Sequence, residues 1–189
     1  LNNNGGQIPK RLVVTSPCSG DGKTTLAINL ATSIAKSGKR VLLIDGDMRK
    51  PDIAPVLNLP RGLRGLQDYL FGKEFKSVVY HMPSLNLDIL AADSRNHTDA
   101  YELLASPLTP GYINFACDAY DHVIIDTPPI LAFPDALIWA KMAGAAILSS
   151  LAGQTTGSDL RQASERLAQI DVKVLGSVMN NVRTGQGYY

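Results

Sequence analysis

Cysteine, aromatic side chains and an excess of charge of either sign are all scarce in this 189-residue chain. The two cysteines, Cys18 and Cys117, form no metal-ligand spacing and suggest no disulfide framework, so a reduced cytoplasmic setting fits best. The 18 basic and 17 acidic residues give a formal net charge of +1 without a long basic block, which argues against nucleic acid as the main partner. His81, His97 and His122 are scattered and predict no metal site.

Long apolar runs are also missing. No stretch reaches the ~20 apolar residues needed to cross a bilayer, and there is no charged-then-apolar signal peptide, so we expect a soluble segment. A composition of 45% hydrophobic and 19% charged residues is that of an ordinary globular protein. Without a linker or repeat, residues 1–189 predict one domain, and the missing initial methionine suggests a fragment of a larger protein. Residues 1–10 and 183–189 are expected to be mobile ends.

Helical and extended patterns alternate along the chain. Strands are predicted at 11–15, 40–45, 85–90, 122–125, 145–150 and 172–179. Helices are predicted at 24–37, 53–57, 63–71, 101–118, 135–143 and 157–170. This order predicts an α/β fold, a doubly wound and mostly parallel sheet flanked by helices, with the last strand buried and with ligands at the carboxyl ends of the strands.

The segment 16–25, S-P-C-S-G-D-G-K-T-T, lies between a predicted strand and a predicted helix. Its small residues let the backbone N–H groups and the helix N-terminus face phosphate oxygens. Lys23 would reach the β- and γ-phosphates, Thr24 would offer its hydroxyl to Mg²⁺, and Gly22 permits a backbone geometry that a side chain would obstruct. The segment predicts a P-loop that binds a nucleoside triphosphate, although Pro17 replaces the first glycine of the G-x-x-x-x-G-K-[ST] pattern.

Two acidic motifs follow apolar strands. The first, V-L-L-I-D-G-D-M-R, places Asp45 and Asp47 at a strand end, where a buried carboxylate needs a cation, a donor or water. The second, V-I-I-D-T-P-P, ends its strand with Asp126 in the manner of a Walker B aspartate. Alone, Asp126 fits a strand-end cap as well as a metal ligand; beside Lys23 and Thr24 the metal role is favoured.

Together these motifs resemble the bacterial tyrosine kinases that regulate capsule and exopolysaccharide synthesis. The resemblance covers nearly the whole chain: residues 62–70 are similar to the family's G-L-S-x-x-L segment and residues 102–106 to its S-E-L-L-x-S helix. Residues 134–136 fit the stretch after the Walker B strand, and residues 185–189, G-Q-G-Y-Y, look like the start of a C-terminal tyrosine cluster. The family's E-x-x-R-x-x-R helix is absent, and the tail stops after two tyrosines.

The resemblance implies ATP-dependent tyrosine autophosphorylation on a P-loop fold. The residues that would hold the phosphates are Gly20, Asp21, Gly22, Lys23, Thr24 and Thr25. Thr24, Asp47 and Asp126 would hold Mg²⁺, and Lys23 and Asp45 would be catalytic. An ordinary carboxylate is a weak base toward a phenol, so we expect Asp45 mainly to position the attacking hydroxyl. Asn180 lies where related P-loop ATPases contact the adenine.

The resemblance also implies partners. Tyr188 and Tyr189 would be the phosphate acceptors, presented to a neighbouring subunit in a homo-oligomer such as a ring. A membrane adaptor or polysaccharide co-polymerase, fused or separate, would hold the domain at the inner face of the plasma membrane. A tyrosine phosphatase would reverse the modification, and no nucleic-acid partner is expected.

Two other functions stay open. A partitioning or cell-division ATPase of the same P-loop branch would hydrolyse ATP to switch a dimer, but such proteins carry an additional lysine where Cys18 stands here. A non-catalytic nucleotide-binding adaptor is disfavoured by the intact Lys23 and Thr24. Phe71, Phe133 and Trp139 are expected to pack near helices rather than stack on adenine. Arg49 and Lys50 could approach a phosphate or a neighbouring subunit, and a solvated face fits at least as well.

Overall fold

A computed structural model describes residues 8–93 and 99–182. The strands are β1 (Arg11–Thr15), β2 (Val41–Asp45), β3 (Tyr80–Met82), β4 (Leu87–Leu90), β5 (His122–Asp126), β6 (Ala145–Leu151) and β7 (Lys173–Asn180). The helices are α1 (Lys23–Lys36), α2 (Ile53–Val56), α3 (Leu66–Leu70), α4 (Ala100–Ala105), α5 (Thr109–Asp118), α6 (Asp135–Ala143) and α7 (Gly157–Ala168), with a 3₁₀ turn at Phe75–Ser77.

The strands form one sheet in the order β3-β4-β2-β5-β1-β6-β7. Every neighbouring pair is parallel except β3 with β4, which is antiparallel. One apolar layer packs α1 and α2 against one face of the sheet, and a second layer packs α3 to α7 against the other. Because both faces are covered, β2 is buried over its whole length and is apolar up to its last residue, Asp45. The predicted doubly wound α/β fold is confirmed.

The parallel register brings the functional candidates to one edge of the sheet. Asp45 at the end of β2 lies opposite Asp126 at the end of β5, and Asp126 also lies beside Val14 of β1. The segment that connects β1 to α1 therefore starts next to both carboxylates. Sequence-distant residues meet here because the carboxyl ends of parallel strands share one edge.

The long helix predicted at 101–118 is wrong, since the structure has two helices, α4 and α5, with a break at Ser106. Pro107 causes the break, because a proline disfavours helical geometry in the residue before it. Ser106 accordingly has an extended ψ of 133°. Pro107 was the sequence signal for this break, but the apolar periodicity on either side of it predicted one continuous helix.

The two edges of the sheet also differ from the prediction. The last strand was expected to be buried, but β7 is an edge strand with most of its side chains exposed, including Met179 at 56%. The three-residue strand β3 was not predicted, because so short an element carries little periodic signal. Phe71 is 59% exposed, which contradicts its predicted packing role, whereas Trp139 is fully buried as expected.

Several predictions fall on parts of the chain that the structure does not describe. His97, Tyr188 and Tyr189 lie outside the described residues, as do residues 1–7 of the predicted N-terminal lead and all of the tail 183–189. Across the described ranges, none of the helices has the length and apolar character needed to span a membrane.

Candidate functional site

The connection between β1 and α1 takes the shape of a phosphate-binding loop. Gly20 and Gly22 have φ values of 87° and 82°, in the left-handed region that favours glycine. A Cβ atom on Gly22 would also lie 2.6 Å from Nδ2 of Asn180. Helix α1 begins directly after Gly22, so its free N–H groups lie at the loop.

Asp21 holds this loop from the inside. Its carboxylate is fully buried and accepts hydrogen bonds from the Cys18 N–H at 3.0 Å and the Thr155 hydroxyl at 2.7 Å. Its carbonyl oxygen accepts from Ser149 Oγ at 2.6 Å and from Asn180 Nδ2 at 2.8 Å. Asp21 and Asn180 thus tie the loop to β6 and β7 instead of lining the cleft in front of it. No sequence motif predicted that Ser149 and Thr155 anchor the loop.

A cleft of about 750 Å³ opens in front of the loop. The predicted phosphate-binding residues that line it are Gly20, Gly22, Lys23, Thr24 and Thr25. Asp47 lines the cleft from the end of β2, so a cation-binding carboxylate faces the lysine and the hydroxyl across a shared space. The structure therefore brings most of the predicted nucleotide site together.

Asp45 and Asp126 lie beneath the cleft and are almost completely buried. The Thr24 hydroxyl donates to Oδ2 of Asp126 at 2.6 Å, and the Ile53 N–H donates to Oδ2 of Asp45 at 3.1 Å. The Oδ1 atom of each carboxylate is buried without a hydrogen-bond partner among the described residues. Each of these two oxygens can therefore accept a ligand without giving up an existing hydrogen bond.

Burial has the largest effect on the pKa values of these carboxyl groups. It raises the pKa of Asp126 to about 7, although the Thr24 hydroxyl and the charge of Lys23 act in the opposite direction. Burial, and then the negative charge of Asp126, raise the pKa of Asp45 well above its ordinary range. Burial also raises the pKa of Asp47. Bringing a cation to this edge would favour the ionised forms.

The backbone between Asp45 and Asp47 is fixed from two sides. The Gly46 N–H donates to the carbonyl oxygen of Asp126 at 2.7 Å, and Trp139 Nε1 donates to the carbonyl oxygen of Gly46 at 3.1 Å. A Cβ atom on Gly46 would lie 2.7 Å from that Asp126 oxygen, so only glycine fits without a shift. The Lys50 N–H donates to Oδ1 of Asp47 at 3.0 Å.

The donor set suits magnesium that arrives with a nucleotide. Among the described residues, no group of three or more His, Cys, Asp or Glu side chains could hold a metal ion by itself. Mg²⁺ usually keeps several waters and uses one or two carboxylates together with substrate phosphates. The hydroxyl of Thr24, the carboxylate of Asp47 that lines the cleft and the unpartnered oxygen of Asp126 fit that mode of binding.

Arg49 is more than a solvated cation. Its guanidinium donates to both carboxylate oxygens of Asp135, which is almost fully buried at the start of α6, and lies 4.9 Å from the centre of the Phe133 ring. Arg49 therefore connects the segment after β2 to the segment after β5. Residues 134–136 match the family in sequence, and the structure adds that Asp135 among them binds Arg49.

The fold and the loop define a P-loop nucleotide-binding protein. The chain matches the family of the CobQ/CobB/MinD/ParA nucleotide binding domain over residues 12–187. It is 38% identical over 185 residues to the tyrosine-protein kinase YwqD of Bacillus subtilis (strain 168), covering 95% of this chain and 77% of that protein. It is 33% identical over 174 residues to the putative tyrosine-protein kinase CapB of Staphylococcus aureus, covering 92% of this chain and 75% of that protein. The chain belongs to the bacterial tyrosine kinase family.

Solved structures agree with this assignment. The kinase domain of the Escherichia coli tyrosine kinase ETK superposes with a TM-score of 0.83 at 29% identity, over 95% of this chain and 72% of that chain. The chimerical protein CapA2B2 superposes with a TM-score of 0.87 at 28% identity, over 94% and 78%. MinD of Pyrococcus horikoshii shares the fold, with a TM-score of 0.78 at 22% identity over 95% and 73%.

Proposed function

We propose that this chain is an ATP-dependent protein-tyrosine autokinase that regulates capsule or exopolysaccharide synthesis and export. The observation that carries the proposal is the convergence of Lys23, Thr24, Asp47 and Asp126 on one cleft edge in a chain of the tyrosine kinase family. In phosphoryl transfer, positioning and charge stabilisation supply most of the catalysis. The arrangement provides both.

Each side chain has a distinct role in the proposal. The P-loop residues bind the phosphates of ATP, and Lys23 stabilises charge on the transferred group. Bound Mg²⁺ would neutralise phosphate charge and orient the nucleotide. Thr24, Asp47 and Asp126 hold this ion, while Asp21 supports phosphate binding by fixing the loop.

Asn180 supports the same loop from β7, on the adenine side of the proposed nucleotide site. Its Nδ2 atom donates to the Asp21 carbonyl oxygen and to Ser149 Oγ, at 2.8 and 2.9 Å. Both N–H groups of Nδ2 are used in these bonds, which fixes the orientation of the carbonyl oxygen Oδ1, the acceptor that can face the nucleotide. We therefore keep Asn180 as a nucleotide-binding residue.

Asp45 needs a rearrangement before it can meet an acceptor hydroxyl. In the described conformation it is fully buried, and the first N–H of α2 bonds to its carboxylate. A hydrogen bond to a carboxylate contributes about 1.5 to 3 kcal/mol, and Ile53 at the start of α2 is fully buried, so the energy of nucleotide binding must offset both losses when α2 shifts. Once uncovered, Asp45 positions the phenol for attack.

The proposed acceptors are Tyr188 and Tyr189 on the same or a neighbouring subunit, outside the described residues. The proposed partners are further copies of the chain, a fused or separate membrane adaptor or polysaccharide co-polymerase, and a tyrosine phosphatase. The similarity to the chimerical protein CapA2B2 is in keeping with such an adaptor. The proposed location is the cytoplasmic face of the plasma membrane. The balanced charge of the chain gives no reason to propose a nucleic-acid partner.

Measuring ADP release and phosphotyrosine side by side tests the proposal. We expect phosphotyrosine to form with Mg²⁺ and ATP, and the double variant Tyr188→Phe/Tyr189→Phe to lose most of it. Tyr101→Phe, which alters an exposed tyrosine on α4, is the control and should retain it. ADP release without phosphotyrosine would indicate an ATPase switch, and neither product would indicate a non-catalytic adaptor.

A further inference from the structure

Apolar side chains outside the P-loop line both banks of the cleft, and we call this set of side chains the wall. Val56 of α2 lines one bank, and Pro129, Ala132 and Phe133, between β5 and α6, line the other. Val56 is 53% exposed and Ala132 is exposed, whereas Phe133 is half-buried and Pro129 is buried, so part of the wall is open to solvent. Exposed apolar surface beside a polar site is the usual mark of a binding surface.

The Phe133 ring is held in place. The Arg49 guanidinium lies over it at 4.9 Å, and Arg49 is itself anchored by Asp135 through two hydrogen bonds. A cation held against an aromatic ring restrains that ring through the ring quadrupole. Phe133 therefore presents a fixed aromatic surface instead of a mobile one.

The wall lies on the acidic side of the P-loop. Pro129 follows Asp126 closely, and the next residue, Ile130, donates its N–H to the carbonyl oxygen of Ser16 at 2.9 Å. On the other bank, α2 starts with the N–H that bonds to Asp45. Asn180 belongs to β7, which the sheet order places on the opposite side of β1. The wall is therefore next to the aspartates and away from Asn180.

We propose that this wall, formed by Val56, Pro129, Ala132 and Phe133, binds the aromatic ring of the acceptor tyrosine; the proposal rests on the proposed kinase function. Once α2 has moved enough to uncover Asp45, the ring packs against Phe133 and Val56 while the phenol oxygen points toward the aspartates. That oxygen forms the bond to the γ-phosphorus as the β–γ bridging bond breaks, ADP leaves with the bonding electrons, and the phenol proton passes to the Asp45 carboxylate. A serine side chain would leave the wall uncovered, which favours tyrosine as the acceptor.

Two variants test the wall without touching the phosphate site. Phe133→Ala and Val56→Ser should slow phosphotyrosine formation at saturating Mg²⁺ and ATP by about 5- to 30-fold, as expected for a lost aromatic or apolar contact. The dissociation constant of the ATP analogue AMP-PNP should stay within about twofold of the wild-type value. Phe115→Ala is the matched control, because Phe115 is 70% exposed and lines a different groove. Thermal melting checks that each variant folds.

Unchanged rates in both variants would overturn the proposal. So would a parallel loss of AMP-PNP affinity, which would assign the wall to the nucleotide. A second readout is independent of catalysis: saturation-transfer NMR of a synthetic peptide of residues 183–189, R-T-G-Q-G-Y-Y, with the AMP-PNP complex. Transfer to the tyrosine ring in the wild type and its loss in Phe133→Ala support the wall; absent or unchanged transfer contradicts it. If peptide binding depends on Phe133 in a chain that forms no phosphotyrosine, the kinase function fails and the wall stands.

Discussion

At the scale of single residues, Asp21 acts on the nucleotide site without facing the cleft. Its carboxylate joins Cys18 to Thr155, and its carbonyl oxygen joins the loop to Ser149 and Asn180. A backbone loop can bind phosphate only if its N–H groups keep one orientation. The precision of the loop therefore depends on a buried side chain behind it.

Asp21→Ala should destabilise the fold by about 2 to 3 kcal/mol, because it leaves the Cys18 N–H and the Thr155 hydroxyl without their partner. Urea unfolding measures this loss. Asp118→Ala is the control: its carboxylate is 81% exposed in a surface ion pair with Lys10, so the change should stay within about 0.5 kcal/mol. Equal effects at the two positions would refute the anchoring role of Asp21.

Asp45→Asn separates stability from catalysis. The amide removes a buried charge next to Asp126 while keeping the shape of the side chain. We expect the melting temperature of the metal-free chain at pH 8 to rise, AMP-PNP binding to persist, and phosphotyrosine formation to be severely reduced. Near-normal transfer in a kinase assay would show that Asp45 is not the positioning residue.

The pKa of Asp126 predicts how stability depends on pH. Folding raises this pKa to about 7. The stability that the protonated Asp126 carboxyl group contributes is therefore complete at about pH 4 and is lost as the pH rises through 7. The metal-free wild type should therefore lose roughly 1 kcal/mol per pH unit across this window relative to Asp126→Asn. Urea titrations at several pH values measure the difference. Parallel stability curves for the two proteins would contradict the raised pKa.

The same protonation should affect metal binding in the opposite direction. A proton on Asp126 competes with a cation, so stabilisation by Mg²⁺ and AMP-PNP should grow as the pH rises from 6 to 8. Thermal shifts recorded with and without the ligands at each pH would check this. A stabilisation that shrinks toward pH 8 would place the metal elsewhere.

At the scale of elements, α3 depends on a close approach of two backbones. The Leu66 N–H donates to the carbonyl oxygen of Ala91 at 2.8 Å, and a Cβ atom on Gly65 would lie only 1.9 Å from that oxygen. A backbone oxygen cannot move aside without disturbing the end of β4. This contact explains why a glycine stands directly before α3.

Gly65→Ala should lower stability by about 1 to 3 kcal/mol through overpacking, measured by chemical denaturation. Gly111→Ala in α5 is the matched control, because nothing lies within 4 Å of its added Cβ, and helix propensity favours alanine there by about 1 kcal/mol. The two glycine substitutions should therefore have opposite signs. A neutral or stabilising Gly65→Ala would contradict the close backbone contact described before α3.

The elements also show what the sequence could predict. The strand β1 and helix α6 have the predicted bounds, because each is a short segment of clear hydrophobic periodicity whose flanking residues mark its ends. The break at Pro107 was missed where apolar periodicity hid a proline, and β7 was expected to be buried because its sequence is apolar although its position is an edge. A sequence pattern indicates local structure, whereas the position of a strand at the edge or in the centre of a sheet is a property of the assembled sheet.

The candidate site, too, has a part that the sequence predicts and a part that depends on tertiary packing. Lys23, Thr24 and Asp47 are spaced by local motifs, and they line the cleft as the motifs predict. The depth of Asp45 below the cleft and the bond between Arg49 and Asp135 depend on how separate segments pack. Such contacts join residues that are far apart in the chain, so periodicity cannot supply them.

At the scale of the whole molecule, the sheet order makes the site. Strands β2, β5 and β1 are adjacent, so their ends bring two aspartates and the P-loop to one edge, while β6 and β7 support the loop from the other side. The apolar layers on both faces keep these strands dry and in register. A tyrosine kinase site built in this way depends on the sheet as a unit, with no separate catalytic domain required.

The central claim is that this edge transfers phosphate from ATP to tyrosine. The most direct test is to incubate the wild type and Lys23→Met with Mg²⁺ and ATP and to quantify phosphotyrosine by mass spectrometry, with melting curves to confirm that both are folded. We predict phosphotyrosine in the wild type and a decrease of at least about 100-fold in Lys23→Met, the usual cost of removing a group that stabilises transition-state charge. Equal phosphotyrosine in the two proteins, or ADP release from the wild type with no phosphotyrosine, would contradict the claim.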